Sequence, residues 1–443
     1  MDFKTRRELY NGCHPAEPLA PTDRRNVPFD QFEAAGHKEY VRGVDWVDRL
    51  AVRIELSDDP VCMLFTGLRG SGKSTELLRL QARLSDPHRA PYLVVVVDAE
   101  EHLDLTNPVD VPDILASLVA AAEQRVLEAE GKPAEPGFLE RLWTWLNNTD
   151  VTLKEAEFSV GDHAKLTLEL KTRPTLRQRV TRIISSHLSH FLKLVHDELV
   201  LLDGRAQKCR HTGLVLILDS LEKLQGMSHN YDDVLSSAER LFGGGAPYLT
   251  LPVHVLYTVP PALTARRAFH DVSFLPMVLL KHRDGSRSEP GFRALRELVR
   301  RRVTDAELEA QLGGDYEARI ARLIEWSGGY PRELVRLLQS LWTYAEAPLS
   351  DSELARLCHE VTDSYRKVIR TSDIKWLVQV ASEHYAATDD EAGQQSADRM
   401  LSSNAVLRYL NNQDWFDLHP AVRAVPEVAA AIARSKQKSK APP

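Results

Sequence analysis

Four short apolar runs punctuate the chain: Val61–Thr66, Tyr92–Asp98, Leu214–Asp219 and Val253–Thr258. Polar or turn residues bound each run, and helical spacings fall between them, beginning with Val47, Leu50 and Ile54 in Asp45–Leu56. Apolar runs separated by helices are buried on both faces, which predicts a parallel α/β sheet. The interval between the second and third runs is too long for one crossover. Within it Pro108–Glu130 and Phe138–Leu146, with Trp143 and Trp145, read as helices. Val151–Val160 and Ala164–Lys171 face each other across Gly161-Asp162, and Leu166, Leu168 and Leu170 alternate with polar residues, the pattern of a β-hairpin. Thr175–Leu202 carries Leu176, Val180, Ile184, Leu188, Phe191, Val195 and Leu199 at helical spacing, which predicts one long amphipathic helix. Farther on, Thr371–Ser382 and Glu391–Ser402 read as helices. Ala405–Leu410 and Trp415–Leu418 alternate around the turn pair Asn411-Asn412. Residues 1–38, with Pro15, Pro18, Pro21 and Pro28 among charges, read as an extended arm, and the basic tail Ser435–Pro443 reads as disordered.

Charge narrows the function classes. A formal net charge of −7 argues against a generic nucleic-acid coat, which needs a broad basic surface. Apolar runs such as Leu93–Val97 fall far short of the ~20 residues that span a bilayer, so no membrane partner is expected. The polar start Met1–Arg7 predicts no signal peptide, and Cys13, Cys62, Cys209 and Cys358 have no CxxC spacing. The expectation is a reduced, cytoplasmic chain. His187 and His190 stand at i, i+3 without a nearby carboxylate and read as surface or packing histidines rather than a metal pair.

The chemistry is concentrated in Gly67-Leu-Arg-Gly-Ser-Gly-Lys-Ser74, which matches GxxxxGK[ST] between an apolar run and a helical one. Gly67, Gly70 and Gly72 let the backbone fold tightly enough to aim successive N–H groups at phosphates. The helix start adds its partial positive charge. Lys73, expected to face solvent in an empty site, would reach the β- and γ-phosphates of ATP, and the Ser74 hydroxyl would join a Mg²⁺ shell. The contact set is completed by Arg69, Ser71 and Thr75. Asp219, ending the third run, is the metal-holding acid, preferred over Asp98 on the expectation that its strand flanks the P-loop strand. Glu222 is the candidate for polarising the attacking water, beside the plainer reading of a helix-start carboxylate.

At these residues the chain resembles the additional-strand P-loop ATPases, in particular the AAA+ and STAND groups. Glu39-Tyr-Val-Arg-Gly43 is similar to the box whose arginine lines the adenine pocket, which implies that role for Arg42. His254-Val-Leu-Tyr-Thr258 has the form of the sensor-1 strand, with Thr258 at its tip beside the γ-phosphate. Ser327-Gly-Gly-Tyr-Pro-Arg-Glu-Leu-Val-Arg-Leu-Leu338 resembles the turn that opens a lid helix, which implies Pro331 near adenine and Arg332 sensing the γ-phosphate. The acid pair here is Asp219-Ser220 with Glu222 further on, where many AAA+ enzymes have adjacent Asp-Glu, and this favours a slow, switch-like ATPase. No arginine finger is assignable, although Arg266, Arg267 and Arg300–Arg302 are available.

The resemblance implies an α/β chain: a parallel-sheet P-loop NTPase core over 39–285 with a β-hairpin/long-helix insertion at about 131–205, a helical lid over 286–350, and a C-terminal winged helix over 351–434. It implies bacterial signalling or phage defence through a homo-oligomer or an effector-protein complex. A DNA-associated loader or transposition-regulator ATPase is the alternative. The acidic-to-mixed charge of Asp390, Glu391, Asp398 and Arg399 makes nucleic acid the less favoured partner.

Overall fold

The computed structural model describes residues 2–34, 36–133, 137–149, 174–224, 230–243, 247–265, 272–386, 388 and 390–440. The strands, in chain order, are β1 (Gln31–Ala34), β2 (His37–Tyr40), β3 (Cys62–Gly67), β4 (Leu93–Asp98), β5 (Leu214–Asp219), β6 (His254–Thr258), β7 (Val272–Leu275), β8 (Val406–Asn411) and β9 (Gln413–Leu418). Five form one sheet in the order β4-β5-β6-β3-β7, with all four pairings parallel. Leu93, Val95, Leu214, Leu216 and Leu218 enter one core, while Val94, Val215 and Ile217 enter another. The apolar runs are therefore covered on both faces, which is why they show no polar alternation.

This order corrects one expectation. The strands flanking β3 are β6 and β7, and Asp219 sits on β5, one strand beyond β6. β6 lies between the P-loop strand and the acid, and Asp98 lies another strand beyond.

Around the sheet, helix Trp46–Glu55 packs with the P-loop helix Lys73–Leu84 on one face. Val111–Glu130, Phe138–Thr149 and Leu188–Lys208 cover the other. The long helix expected over Thr175–Leu202 is two helices, Pro174–Ser186 and Leu188–Lys208, broken at His187, where φ is −127° and ψ 31°. The hairpin expected over 151–171 lies outside the described residues. The arm is not merely extended: Phe3–Gly12 is helical and contacts helix Pro331–Leu341, and β1 pairs with β2 as an antiparallel hairpin. The helix Pro426–Lys440 runs through most of the tail expected to be disordered.

Beyond the sheet, helices Glu289–Arg300, Asp305–Leu312, Tyr316–Ser327 and Pro331–Leu341 occupy the region expected to be the lid and are called the lid. Helices Asp351–Val368, Ile374–Glu383 and Glu391–Ser402 precede the β8–β9 hairpin, whose turn uses Asn412 at φ 61°. Lid, C-terminal unit and arm share one apolar core. The segment after β7 ties them to the sheet through three successive backbone donors. Met277 N–H donates to Arg408 C=O at 2.9 Å, Val278 N–H to Gly329 C=O at 3.0 Å, and Leu279 N–H to Val41 C=O at 2.8 Å. No helix among the described residues is long and apolar enough to cross a membrane.

Candidate functional site

The turn between β3 and the P-loop helix is set by two glycines in the left-handed region, Gly70 at φ 76° and Gly72 at φ 100°. A side chain at either would be strained. Gly72 caps the helix without a side-chain bond, so the first N–H groups of Lys73–Leu84 have no side-chain cap. The loop faces a cavity of about 420 Å³ whose walls include Gly70–Glu76, Asp98, Asp219, Glu222, Arg332 and the arm residues His14–Leu19.

Lys73 does not face solvent. Its side chain is 2% exposed, and Nζ donates to Gly67 C=O at 3.0 Å and lies 3.0 Å from Glu222 Oε1. Glu222 is reached through a fixed turn. Ser220 takes φ 71°, and the Leu221 N–H donates to Thr258 Oγ1 at 3.0 Å. The Thr258 hydroxyl itself donates to Leu218 C=O at 3.2 Å. Thr258 is thus fully buried and occupied as a tie between β6 and the acid turn, and it is not among the cavity walls. It supports the turn that carries Glu222.

Asp219 and Glu222 shape each other's protonation. Burial, then the Glu222 charge, pushes the Asp219 carboxyl up to about 6, against the Ser74 hydroxyl bond and Lys73. Burial alone would raise Glu222 as well, but the charge and hydrogen bond of Lys73 hold it below the usual carboxylate range. Lys73 pairs with Glu222, and Asp219 has no ion-pair partner among the described residues, which leaves this end of the sheet one positive charge short. A hydroxyl, a carboxylate raised by its neighbour and missing positive charge are the donor set of a hard divalent cation, so Mg²⁺ fits at Ser74 and Asp219. Asp98 accepts from Glu100 N–H at 2.9 Å, capping its own helix. Among the described residues no cluster of three or more His, Cys, Asp or Glu could hold a metal by itself. His190 and His187 pack against Trp145, with ring centroids 5.2 and 6.0 Å away.

Arg42 also lines the cavity. It is 1% exposed, donates to Glu76 Oε1 at 3.2 Å and to Ser71 C=O at 2.5 Å, and stacks over Phe29 at 4.7 Å. Burial lowers its pKa to about 10, with Glu76 opposing. Its terminal nitrogens brace the P-loop backbone and Glu76, while its Nε has no hydrogen-bond partner. Thr75 is also engaged, its hydroxyl accepting from Leu19 N–H at 3.2 Å.

The lid meets the loop directly. Gly328 and Gly329, at φ 62° and 81°, turn the chain into helix Pro331–Leu341, and Pro331, Arg332 and Val335 line the cavity. A Cβ on Gly70 would stand 2.6 Å from Arg332 Nε and 2.7 Å from its Cβ. The C-terminal unit reaches the same rim, where Asn404 Nδ2 donates to Arg69 C=O at 2.9 Å. Neither Asn404 nor the arm residues His14–Leu19 were expected here from the sequence. Asparagine in a turn carries no local signal, and the arm's prolines point to extension without saying where it lies. Of the arginine-finger candidates, Arg266 and Arg267 lie outside the described residues, Arg301 donates to Asn26 C=O, and Arg302 donates to Arg25 C=O at 3.0 Å.

No family model and no curated protein matches the sequence. Among solved structures the chain is similar to a Walker-type ATPase of Pyrococcus abyssi, at 13% identity, with 95% of this chain and 100% of that one covered and a TM-score of 0.42. It is similar to the Aeropyrum pernix ORC2 protein in its ADP form, at 12% identity, with 89% and 93% covered and a TM-score of 0.38. Drosophila ORC bound to DNA matches at 11% identity, with 98% and 93% covered and a TM-score of 0.36. The P-loop fold itself rests on this chain's strand order and loop geometry.

Proposed function

We propose that the chain is an ATP-binding, slowly ATP-hydrolysing switch of the STAND/AAA+ kind. The observation that carries the reading is a junction: Arg332 of the lid packs on Gly70 while Asn404 of the C-terminal unit holds Arg69, so both units grip the phosphate loop. The loop N–H groups and Lys73 bind the phosphates, and Ser74 and Asp219 hold the cation. Mg²⁺, when bound, neutralises phosphate charge. Glu222 orients and deprotonates the attacking water. Arg332 pairs with the γ-phosphate, which ADP lacks, and so gives ATP the differential contact that a population shift requires. A C-terminal unit of winged-helix type then stays docked or releases according to the nucleotide. In its fuller form the switch serves bacterial signalling or phage defence through a separate effector. The support for that setting is the motif resemblance alone.

The DNA-associated alternative uses the same parts. Helix Glu391–Ser402 would face DNA, yet its exposed positions are Glu391, Ala392 and Gln395, while Asp398 is buried and Arg399 pairs with Asp373. That charge pattern favours packing over phosphate contact. The deciding experiment follows Mg²⁺-dependent phosphate release from ATP, with and without duplex DNA over a salt series. Turnover indifferent to DNA supports the switch. Salt-sensitive stimulation by DNA supports the alternative, and a protein that neither binds nor cleaves ATP sinks both.

A further inference from the structure

We propose that the Glu222 carboxylate occupies on Lys73 the place that a nucleotide phosphate takes, and that an incoming nucleotide must displace it. The inference rests on the ATP-binding reading and adds a regulation to it. An ammonium has three N–H donors. Those of Lys73 meet Gly67 C=O at 3.0 Å, Leu68 C=O at 3.5 Å and Glu222 Oε1 at 3.0 Å. The two carbonyls belong to the loop and stay with it, so a phosphate gains its place on Lys73 by taking the position of Glu222.

Glu222 is built to let go. Its Oε1 is paired with Lys73, but Oε2 is buried without a hydrogen-bond partner. The backbone beneath it is anchored independently, through Leu221 N–H on Thr258 Oγ1 and Lys223 N–H on Ser220 C=O, both at 3.0 Å. The side chain can therefore swing while its Cα stays in place. One event then does two things: seating the phosphate on Lys73 frees Glu222, and the freed carboxylate is the base that the attacking water needs. Without nucleotide, lysine and glutamate silence each other.

A purely catalytic Glu222 would leave ground-state affinity untouched, whereas a competing Glu222 weakens it. The test measures ADP affinity in EDTA, where no metal intervenes, for the wild type, Glu222→Gln and Glu222→Asp. Removing a buried charge-assisted bond that competes for Lys73 should tighten ADP by roughly tenfold or more in both variants. Glu222→Asp is the sharper arm, because it keeps the negative charge and only withdraws the carboxylate from Lys73. Equal affinity of Glu222→Asp and wild type would reduce any gain in Glu222→Gln to loss of repulsion and overturn the proposal. If no form binds nucleotide, the functional reading fails, and stability without nucleotide still decides the pair. Lys73→Met should then lower the unfolding midpoint and Lys73→Met/Glu222→Gln should recover most of the loss; additive losses would overturn it.

Discussion

Two charge networks flank the P-loop, and they differ in charge balance. Behind the loop, Arg42 and Arg79 meet Glu76 and Asp30, two charges of each sign. Glu76 Oε1 takes Arg42 at 3.2 Å, Glu76 Oε2 takes Arg79 at 2.6 Å, and Arg79 reaches Asp30 at 2.6 Å. In front, Lys73 pairs with Glu222, Asp219 has no ion-pair partner among the described residues, and Glu222 keeps an unpartnered oxygen. Burial raises the Glu76 carboxyl against the pull of Arg42 and Arg79, as it raises Asp219 against Lys73. Matched charge makes the rear an anchor. An unbalanced carboxylate makes the front exchangeable, which is what a binding site requires.

The largest effect should come from breaking the anchor. Arg42→Ala leaves Glu76 with Arg79 alone and takes the donor from Ser71 C=O, and is expected to cost about 2–3 kcal/mol in denaturant unfolding. Arg42→Lys keeps the charge but loses the fork and the Phe29 stack, so it should recover only part of that. A loss within error of zero would show that the rear network carries no stability.

Next in size is Gly70→Ala, which meets both a left-handed backbone at φ 76° and the Arg332 side chain at 2.6 Å. The backbone part alone is about 1–2 kcal/mol. Adding Arg332→Ala should relieve the crowding and leave the backbone part, and strict additivity of the two changes would mean that lid and loop do not touch. A smaller loss of about 1 kcal/mol is expected for Asn404→Ala, which gives up one hydrogen bond to Arg69. Limited proteolysis should then release the C-terminal unit faster, and an unchanged cleavage rate would remove Asn404 from the coupling.

The subtlest effect lies on the acid side. His419, wholly buried between Tyr365 and Tyr330, has its pKa lowered to about 3 by burial, with Arg336 adding to it. The unfolded chain binds this proton below about 6.5 and the folded chain does not. Stability is therefore full above that value and falls as pH drops toward 3. His419→Phe should flatten this limb of the unfolding midpoint against pH, and an identical slope would assign it to other groups.

Much of this was legible in the chain. The four apolar runs became β3–β6 because sheets buried on both faces suppress alternation, and the glycine-lysine loop needed only its own spacing. β7 escaped because Val272–Leu275 is too short to stand out. The order of strands, and with it the place of β6 between loop and acid, depends on crossovers that no local pattern encodes. Arg42, Thr258 and Lys73 were recognised as important, but their partners are Ser71, Leu221 and Glu222, contacts made only after folding. Local residue type indicated chemistry; tertiary pairing decided which groups remained free to act.

The central claim is that the lid distinguishes ATP from ADP through Arg332, and paired affinities test it most directly. With Mg²⁺ present, ATP and ADP binding are measured for wild type and Arg332→Ala, alongside the solution mass of each complex. The account predicts ADP affinity nearly unchanged, ATP preference reduced by about tenfold or more for the loss of a charge-assisted contact, and any ATP-dependent assembly abolished. Equal losses for both nucleotides would make Arg332 a general packing residue and contradict the switch.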